Sequence, residues 1–109
     1  CLHGVGERGS DGSRQTVIAL ADAIRRFPER YPAIVVLPQA PMGGAWLEKA
    51  LALAEASLAE TEREFRTDPT RVYLTGYSMG GLGVYHLALR QPGRYAAIAI
   101  LCAAFGLPE

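Results

Sequence analysis

Hydrophobic and polar residues form alternating blocks along the chain, and these blocks predict helices and strands in turn. Residues 13–27 and 47–66 carry apolar side chains at helical spacing, with charged side chains on the remaining faces. Residues 33–37 form a continuous apolar run, which is typical of a parallel strand covered on both faces. Two further apolar runs, at 72–75 and 96–102, are also predicted as strands, the second of them buried.

The order of these elements predicts the fold class. The chain begins with the end of a strand at Leu2, and a last helix, apolar on most faces and therefore deeply buried, follows Ser78 as far as Gln91. Helices and strands thus alternate, which indicates an α/β protein: a three-layer α/β/α sandwich with a parallel sheet and right-handed crossovers.

Composition narrows the class of function. The 109 residues provide one domain, and half of them are hydrophobic, so the chain is predicted to be globular. Eleven basic and eleven acidic side chains cancel, which argues against a nucleic-acid partner. The longest uncharged apolar run, 95–105, falls short of the ~18 residues of a membrane span, so a soluble protein is expected. Because Cys1 stands where an initiator methionine would be, we interpret the beginning as cut and leave the compartment open.

Candidate chemistry is concentrated in residues 71–83, R-V-Y-L-T-G-Y-S-M-G-G-L-G. A β-rich run stops at Gly76 and a proline-free apolar segment follows Ser78, which predicts a strand, a tight turn and a helix with Ser78 at the apex. The pattern G-x-S-x-G, the nucleophile elbow, needs small residues because the backbone segments flanking the serine approach closely. Here the supporting glycines are Gly76, Gly80 and Gly81. The start of the helix would direct N–H groups at an oxyanion.

Two alternatives for this turn are a glycine-rich turn without chemistry and a dinucleotide-binding fingerprint. The fingerprint G-x-x-x-G-x-G fails because Leu82 stands where its last glycine belongs, and G-x-G-x-x-G fails because Ser78 replaces the second glycine. The strand, turn and helix context favours the nucleophile elbow.

Two loops are predicted to lie near Ser78. Residues 2–12 are polar and rich in glycine, so a backbone N–H at Gly4 or Val5, together with that of Met79, would form a two-donor oxyanion hole. A flexible surface loop is the alternative. Residues 38–44 follow the strand at 33–37, at the edge where open α/β sheets bind ligands. The possible pocket residues are Gln39, Tyr77 and Trp46, and Trp46 is equally consistent with packing.

These motifs together resemble the α/β-hydrolase superfamily. Three motifs occur in that family's order, and the resemblance covers essentially the whole chain. They are L-H-G-V-G-E-R-G-S-D-G, V-V-L-P-Q-A-P and D-P-T-R-V-Y-L-T-G-Y-S-M-G-G-L-G. More narrowly, the chain is similar to predicted esterases near the phospholipase/carboxylesterase, dienelactone-hydrolase and prolyl-oligopeptidase-like groups. The resemblance implies that Ser78 is the nucleophile, that Met79 and the Gly4-Val5 loop supply the oxyanion donors, and that residues 1–109 form part of a hydrolase domain.

The resemblance also implies the lateral order of the strands: 33–37, then Leu2, then 72–75, then 96–102. Cys1 and Cys102 would then lie about two strand spacings apart, roughly 9.6 Å. This exceeds the ~7 Å limit for a disulfide, so free thiols are predicted. Cysteines and histidines are not clustered at ligand spacing, and neither a metal nor another cofactor is expected.

The chain departs from the family in its histidines. The family's triad runs serine, acid, histidine, yet His86 lies eight residues along the same helix as Ser78, about 12 Å away at 1.5 Å per residue. His3 is expected to position the oxyanion loop, with a role as base the weaker alternative. The acid of a triad is not convincingly provided by any of four carboxylates: Asp68, Asp11, Glu7 and the terminal Glu109. We therefore expect a fragment whose acid and histidine follow Glu109 and whose first strands precede Cys1.

These observations predict a serine hydrolase that acts on small carboxylic esters. A peptidase of the same superfamily is one alternative, since the scaffold is shared. A catalytically silent, hydrolase-like binding module is the other, because a serine without a base is a poor nucleophile. The particular substrate and the oligomeric state stay open.

Overall fold

The computed structural model describes residues 1–103, which form an α/β structure as predicted. The helices are α1 (Leu20–Arg26), α2 (Glu48–Glu64) and α3 (Met79–Arg90), and the strands are β1 (Tyr73–Tyr77) and β2 (Ala97–Leu101). Short 3₁₀ helices lie at Val5–Glu7, Arg14–Thr16 and Pro28–Arg30. Among the described residues, no helix is long and apolar enough to cross a membrane.

The sheet is built around β1. On one side, β1 pairs in parallel with β2, from Tyr73 opposite Ala97 to Tyr77 opposite Leu101. On the other side, the Leu2 N–H donates to the Thr75 carbonyl (2.8 Å), and the Leu2 carbonyl accepts from the Tyr77 N–H (3.2 Å).

The lateral order of the segments is the one that the family resemblance implied. The terminal amino group of Cys1 donates to the Val36 carbonyl (2.8 Å), which places residues 33–37 beyond Leu2. The order 33–37, Leu2, β1, β2 is therefore confirmed. Cys1 and Cys102 are free thiols, also as predicted.

Two predictions about the strands are wrong. Residues 33–37 do not form a regular, doubly covered strand, and Ile34 is 50% exposed. Within the described residues, the segment beside 33–37 consists of Cys1 and Leu2. These two residues provide too few backbone groups for a ladder of hydrogen bonds. The strand β2 exists, but Ile98 and Leu101 are exposed instead of buried, since β2 pairs only with β1 within the described residues.

The helix predicted over residues 13–27 is interrupted. The Asp11 carboxylate accepts hydrogen bonds from the N–H groups of Ser13 and Arg14, which start a 3₁₀ turn, and Ala19 has a φ of 53°. The intervening β-branched residues 16–18 are weak helix formers. Only α1, from Leu20, is α-helical.

The two longer helices agree with their predicted positions. On α2, Leu51 and Ala54 are buried as expected, whereas Leu47 and Phe65, at the ends of the apolar stripe, are about half exposed. On α3 the prediction of deep burial holds for one face only. The buried face of α3 carries Val84 and Leu87, while Leu89 is 63% exposed.

One apolar core joins these elements. Trp46 is its largest fully buried side chain and packs with the core residues Leu2, Ala40, Ala50, Leu51, Ala54, Leu74, Val84 and Leu87. A partly buried ion pair adds a polar link, because Arg94 donates to both carboxylate oxygens of Glu62 (2.9 and 2.8 Å). The segment before β2 is thereby held against α2.

Candidate active site

The turn between β1 and α3 places Ser78 on the surface. Ser78 has φ 52° and ψ −120°, a strained conformation for a residue with a side chain, and it is exposed. Its N–H donates to the Leu101 carbonyl at 2.9 Å, so the turn is tied to the end of β2. The predicted strand, turn and helix with Ser78 at the apex are therefore present, at the carboxyl edge of the sheet.

The glycines on either side of Ser78 are required by backbone contacts. A Cβ on Gly76 would lie 2.5 Å from the Gly80 carbonyl oxygen. A Cβ on Gly80 would overlap the Leu2 carbonyl oxygen and lie 2.6 Å from that of His3. At Gly81 the nearest atom would be the Ala103 Cβ at 2.8 Å. Because backbone atoms cannot rotate away as a side chain can, only hydrogen fits at Gly76 and Gly80.

Two backbone N–H groups near this turn are free to donate. Met79 begins α3 and Val5 begins the 3₁₀ turn Val5–Glu7, and neither N–H has an acceptor within residues 1–103. The first N–H groups of a helix carry the positive end of its dipole, which favours an anion. The N–H of Met79 therefore lies at the positive end of α3, directly after the exposed Ser78.

His3 anchors the glycine-rich loop from inside the protein. Its Nε2 accepts from the Ala40 N–H (2.9 Å), so Nδ1 carries the proton and donates to the Gly4 carbonyl (2.6 Å). The ring is 3% exposed and meets Trp46 edge-on at 5.0 Å. Both ring nitrogens are occupied, and neither remains to accept a proton from Ser78.

Protonation of His3 is expected to destabilise the protein in acid. Burial lowers the pKa of His3 below its ordinary value of 6.5, while the nearby charges of Glu7 and Arg8 act in opposite directions. Stability contributed by the neutral ring is thus fully present above about pH 6.5 and is lost as the pH falls through the lower folded-state pKa.

The measurement is the thermal midpoint at about pH 8 and about pH 5 for the protein and for His3→Gln. The His3→Gln variant should have a lower thermal midpoint than the unmodified protein at about pH 8, and its midpoint should fall less between about pH 8 and about pH 5. His86→Gln is the control, since it removes the other histidine and should keep the full acid dependence. An equal loss in His3→Gln and the unmodified protein would assign the acid sensitivity to other groups.

Gln39 connects the glycine-rich loop to the loop that follows residues 33–37. Its Nε2 donates to the Glu7 carbonyl (3.1 Å) and the Asp11 carboxylate (2.9 Å), and its Oε1 accepts from the Gly12 N–H (2.8 Å). Hydrogen bonds, first among them that from the Ser13 N–H, hold the pKa of Asp11 far below its usual range. The carboxylate of Asp11 is therefore a structural acceptor in this loop.

The other two possible pocket residues also have structural partners. Trp46 is 1% exposed and donates from its indole N–H to the His3 carbonyl (2.9 Å), which favours packing over lining a pocket. Tyr77 is partly buried, and its hydroxyl donates to the Glu7 carboxylate at 3.0 Å. Sequence reasoning missed the contacts of Gln39 and Tyr77. The segment Asp11-Gly12-Ser13 signals the turn at Asp11, since Asp in such a turn bonds the backbone two residues on, but it does not signal the contact with Gln39.

Two polar residues that were considered as the base or the acid of a triad lie away from Ser78. His86 lies further along α3, with its ring against that of Tyr85 at 5.9 Å. Asp68 precedes β1, at the end of the strand opposite to Ser78, and accepts hydrogen bonds from Thr70. Neither is brought to the turn.

Comparisons with known proteins agree with the class that this fold defines. A family model described as "Putative esterase" matches residues 52–105, just under half of the chain and all of the serine turn. A solved structure entitled "Crystal Structure of a Thermostable Esterase" matches with a TM-score of 0.82 and 31% sequence identity. The match covers 94% of this chain and 31% of that one. A comparison with curated proteins gave no match.

The chain therefore has a partial α/β-hydrolase fold. Within that class it is similar to esterases, as its motifs predicted, and it spans 31% of the length of the esterase structure that it matches.

Proposed function

We propose that this chain is the nucleophile-bearing part of a serine hydrolase that cleaves small carboxylic esters through an acyl-enzyme on Ser78. One observation carries the proposal: an exposed serine at φ 52° stands between β1 and α3, with the free N–H groups of Met79 and Val5 at the same edge. These features support the proposal, because a nucleophile elbow beside a two-donor oxyanion hole requires an exposed serine at such a turn and free N–H groups near it. The similarity to esterases favours an ester over a peptide substrate.

In the proposed reaction, Ser78 Oγ attacks the ester carbonyl carbon while a base takes the hydroxyl proton. The carbonyl oxygen becomes an oxyanion that accepts hydrogen bonds from the N–H groups of Met79 and Val5. The tetrahedral intermediate then expels the alcohol, which leaves with the proton from the base. Water, deprotonated by the same base, releases the acid and restores Ser78. This chemistry needs no cofactor.

In this proposal, the base that takes the Ser78 proton and the acid that orients the base lie outside residues 1–109. The chain has two histidines, His3 and His86. Both nitrogens of His3 are in hydrogen bonds, and His86 lies along α3, so neither can take the proton from Ser78. The chain would then form one part of a larger domain, consistent with its 31% coverage of the esterase structure.

A fluorophosphonate reagent applied to the full-length protein tests the proposal. Such reagents phosphonylate an activated serine, so we expect one adduct, mapped to Ser78 by peptide mass spectrometry and prevented by a competing ester. Folded, full-length protein that takes up no label would contradict the proposal. If that protein still bound the ester without turnover, the silent binding module would be favoured instead.

A further inference from the structure

A side-chain contact connects the serine turn to the glycine-rich loop. The Tyr77 hydroxyl donates to Glu7 Oε2 at 3.0 Å, across 70 positions of sequence. Tyr77 directly precedes Ser78, and Glu7 ends the 3₁₀ turn that begins at Val5. The pair therefore joins the residue next to the proposed nucleophile with the segment that carries a proposed oxyanion donor.

Gly4 lies between the two partners of this contact. A Cβ on Gly4 would be 3.1 Å from Tyr77 Cε2 and 3.2 Å from Glu7 Oε2. The phenol ring thus rests directly on the loop backbone, and the hydroxyl hydrogen bond closes the contact. The ring and the hydrogen bond therefore connect the Gly4-Val5 segment to the residue that precedes Ser78.

The other side-chain anchors of the loop point elsewhere. His3 and Gln39 connect it to the segment at 39–40, and Arg8 donates to the Gly44 carbonyl at 3.0 Å. Within residues 1–103, the bond from Tyr77 to Glu7 is the only hydrogen bond between two side chains that joins residues 4–12 to the serine turn, and the Tyr77 hydroxyl also meets the backbone N–H of Gly4. Burial, together with this bond, raises the pKa of Tyr77 to about 12, so the hydroxyl remains a donor at neutral pH.

We propose that Tyr77 and Glu7 are a positioning pair that sets the distance between the Val5 N–H and Ser78. This inference rests on the proposed function, because it assigns the pair a role in the same oxyanion hole. Donors of this kind act mainly in the transition state, so a displaced donor lowers kcat and leaves KM nearly unchanged. Complete loss of one donor typically costs about 10²–10³ in kcat, and partial displacement should cost about tenfold.

The test uses Tyr77→Phe, Glu7→Ala and Glu7→Gln in the full-length protein. Tyr77→Phe keeps the ring on Gly4 and removes the hydroxyl, with its bond to Glu7 and its contact with the Gly4 N–H, whereas Glu7→Ala removes only the acceptor. Each should lower kcat about tenfold with KM within about twofold. Glu7→Gln retains an oxygen acceptor and should keep kcat within about threefold. The double variant Tyr77→Phe/Glu7→Ala should be no slower than Tyr77→Phe alone, because Tyr77→Phe has already removed the bond that Glu7→Ala removes.

Tyr73→Phe is the matched control, since it makes the same change at an exposed position of β1 and should leave kcat unaltered. Full kcat in Tyr77→Phe and Glu7→Ala, even with a lower melting temperature, would overturn the positioning role. Additive losses in the double variant, or equal losses in Glu7→Gln and Glu7→Ala, would do the same. Because Glu7→Ala leaves the ring of Tyr77 in place, it tests the pair even if Tyr77→Phe fails to fold.

Failure of the proposed function has a different signature. The unmodified protein would then take up no fluorophosphonate and show no turnover. That result would refute the positioning role together with the proposed function. If the unmodified protein is labelled at Ser78 and the variants react at the same rate, only the positioning pair is refuted.

Discussion

Ser78→Ala is expected to lower kcat for ester hydrolysis by about 10⁴-fold or more in the full-length protein. The proposed mechanism passes through a covalent bond to Ser78 Oγ, and the variant has no atom that can form it. Any residual rate would come from direct attack of water on the ester carbonyl carbon, with the oxyanion stabilised by the same donors. Initial rates with an activated aryl ester, at matched protein concentrations, measure the effect.

Ser57→Ala provides the matched control. The hydroxyl of Ser57 donates to the Leu53 carbonyl within α2, at a distance from the turn in sequence and in a different element. We expect an unchanged rate for this variant and normal circular dichroism for both. A Ser78→Ala protein that is folded and still fully active would refute the assignment of the nucleophile.

Gly80→Ala is expected to lower the free energy of unfolding by about 3 kcal/mol or more, at the upper end for overpacking. The added Cβ would overlap the Leu2 carbonyl oxygen and lie 2.5 Å from the Leu2 carbonyl carbon. Both are backbone atoms held in the sheet by the hydrogen bonds of Leu2 with β1. Relief would require α3 to move away from the strand end, which would also displace Ser78. Urea denaturation of the full-length protein measures the loss.

Gly6→Ala makes the same change where the structure leaves room for it. A Cβ on Gly6 would meet no atom within 4 Å, and its φ lies outside the left-handed region. Stability should therefore be retained or rise by about 0.5 kcal/mol, because alanine restricts the unfolded chain. Equal stability of Gly80→Ala and Gly6→Ala would show that the strand and helix do not approach as closely as described.

The serine turn was predictable because its constraints are local. Val72 to Thr75 favour a strand, the apolar residues after Ser78 favour a helix, and the sharp turn between them brings Gly76 against the Gly80 carbonyl, where only hydrogen fits. The long helix α2 was predictable for a similar reason, since its apolar stripe repeats at helical spacing over several turns.

Elements that depend on distant partners were predicted less well. The apolar run at 33–37 has strand propensity, but a strand also needs a neighbour with enough backbone groups to pair with it. The helix predicted from Ser13 begins only at Leu20, because the Asp11 carboxylate accepts hydrogen bonds from the Ser13 and Arg14 N–H groups and a 3₁₀ turn forms there instead. In both cases the apolar pattern indicated which secondary structure the segment prefers, but it did not indicate which groups the segment would bond to in the folded protein.

The candidate site shows the same division. The sequence predicted the turn at Ser78 and the glycine-rich loop, whereas it did not predict the hydrogen bonds that Tyr77 and Gln39 make to that loop. Those partners, Glu7 and Asp11, stand 70 and 28 positions away. Such pairings leave no local pattern, because a side chain's partner is decided by which segments the sheet brings together.

By itself, the sequence determined the alternation of helices and strands and the sharp turn at Ser78, because these follow from sterics and periodicity within a few residues. Only the tertiary structure decided how the loop is held beside that turn and which side chains hold it. The physical reason is that a hydrogen bond requires donor and acceptor within about 3 Å, and the folded sheet alone brings residues so far apart in sequence to that distance.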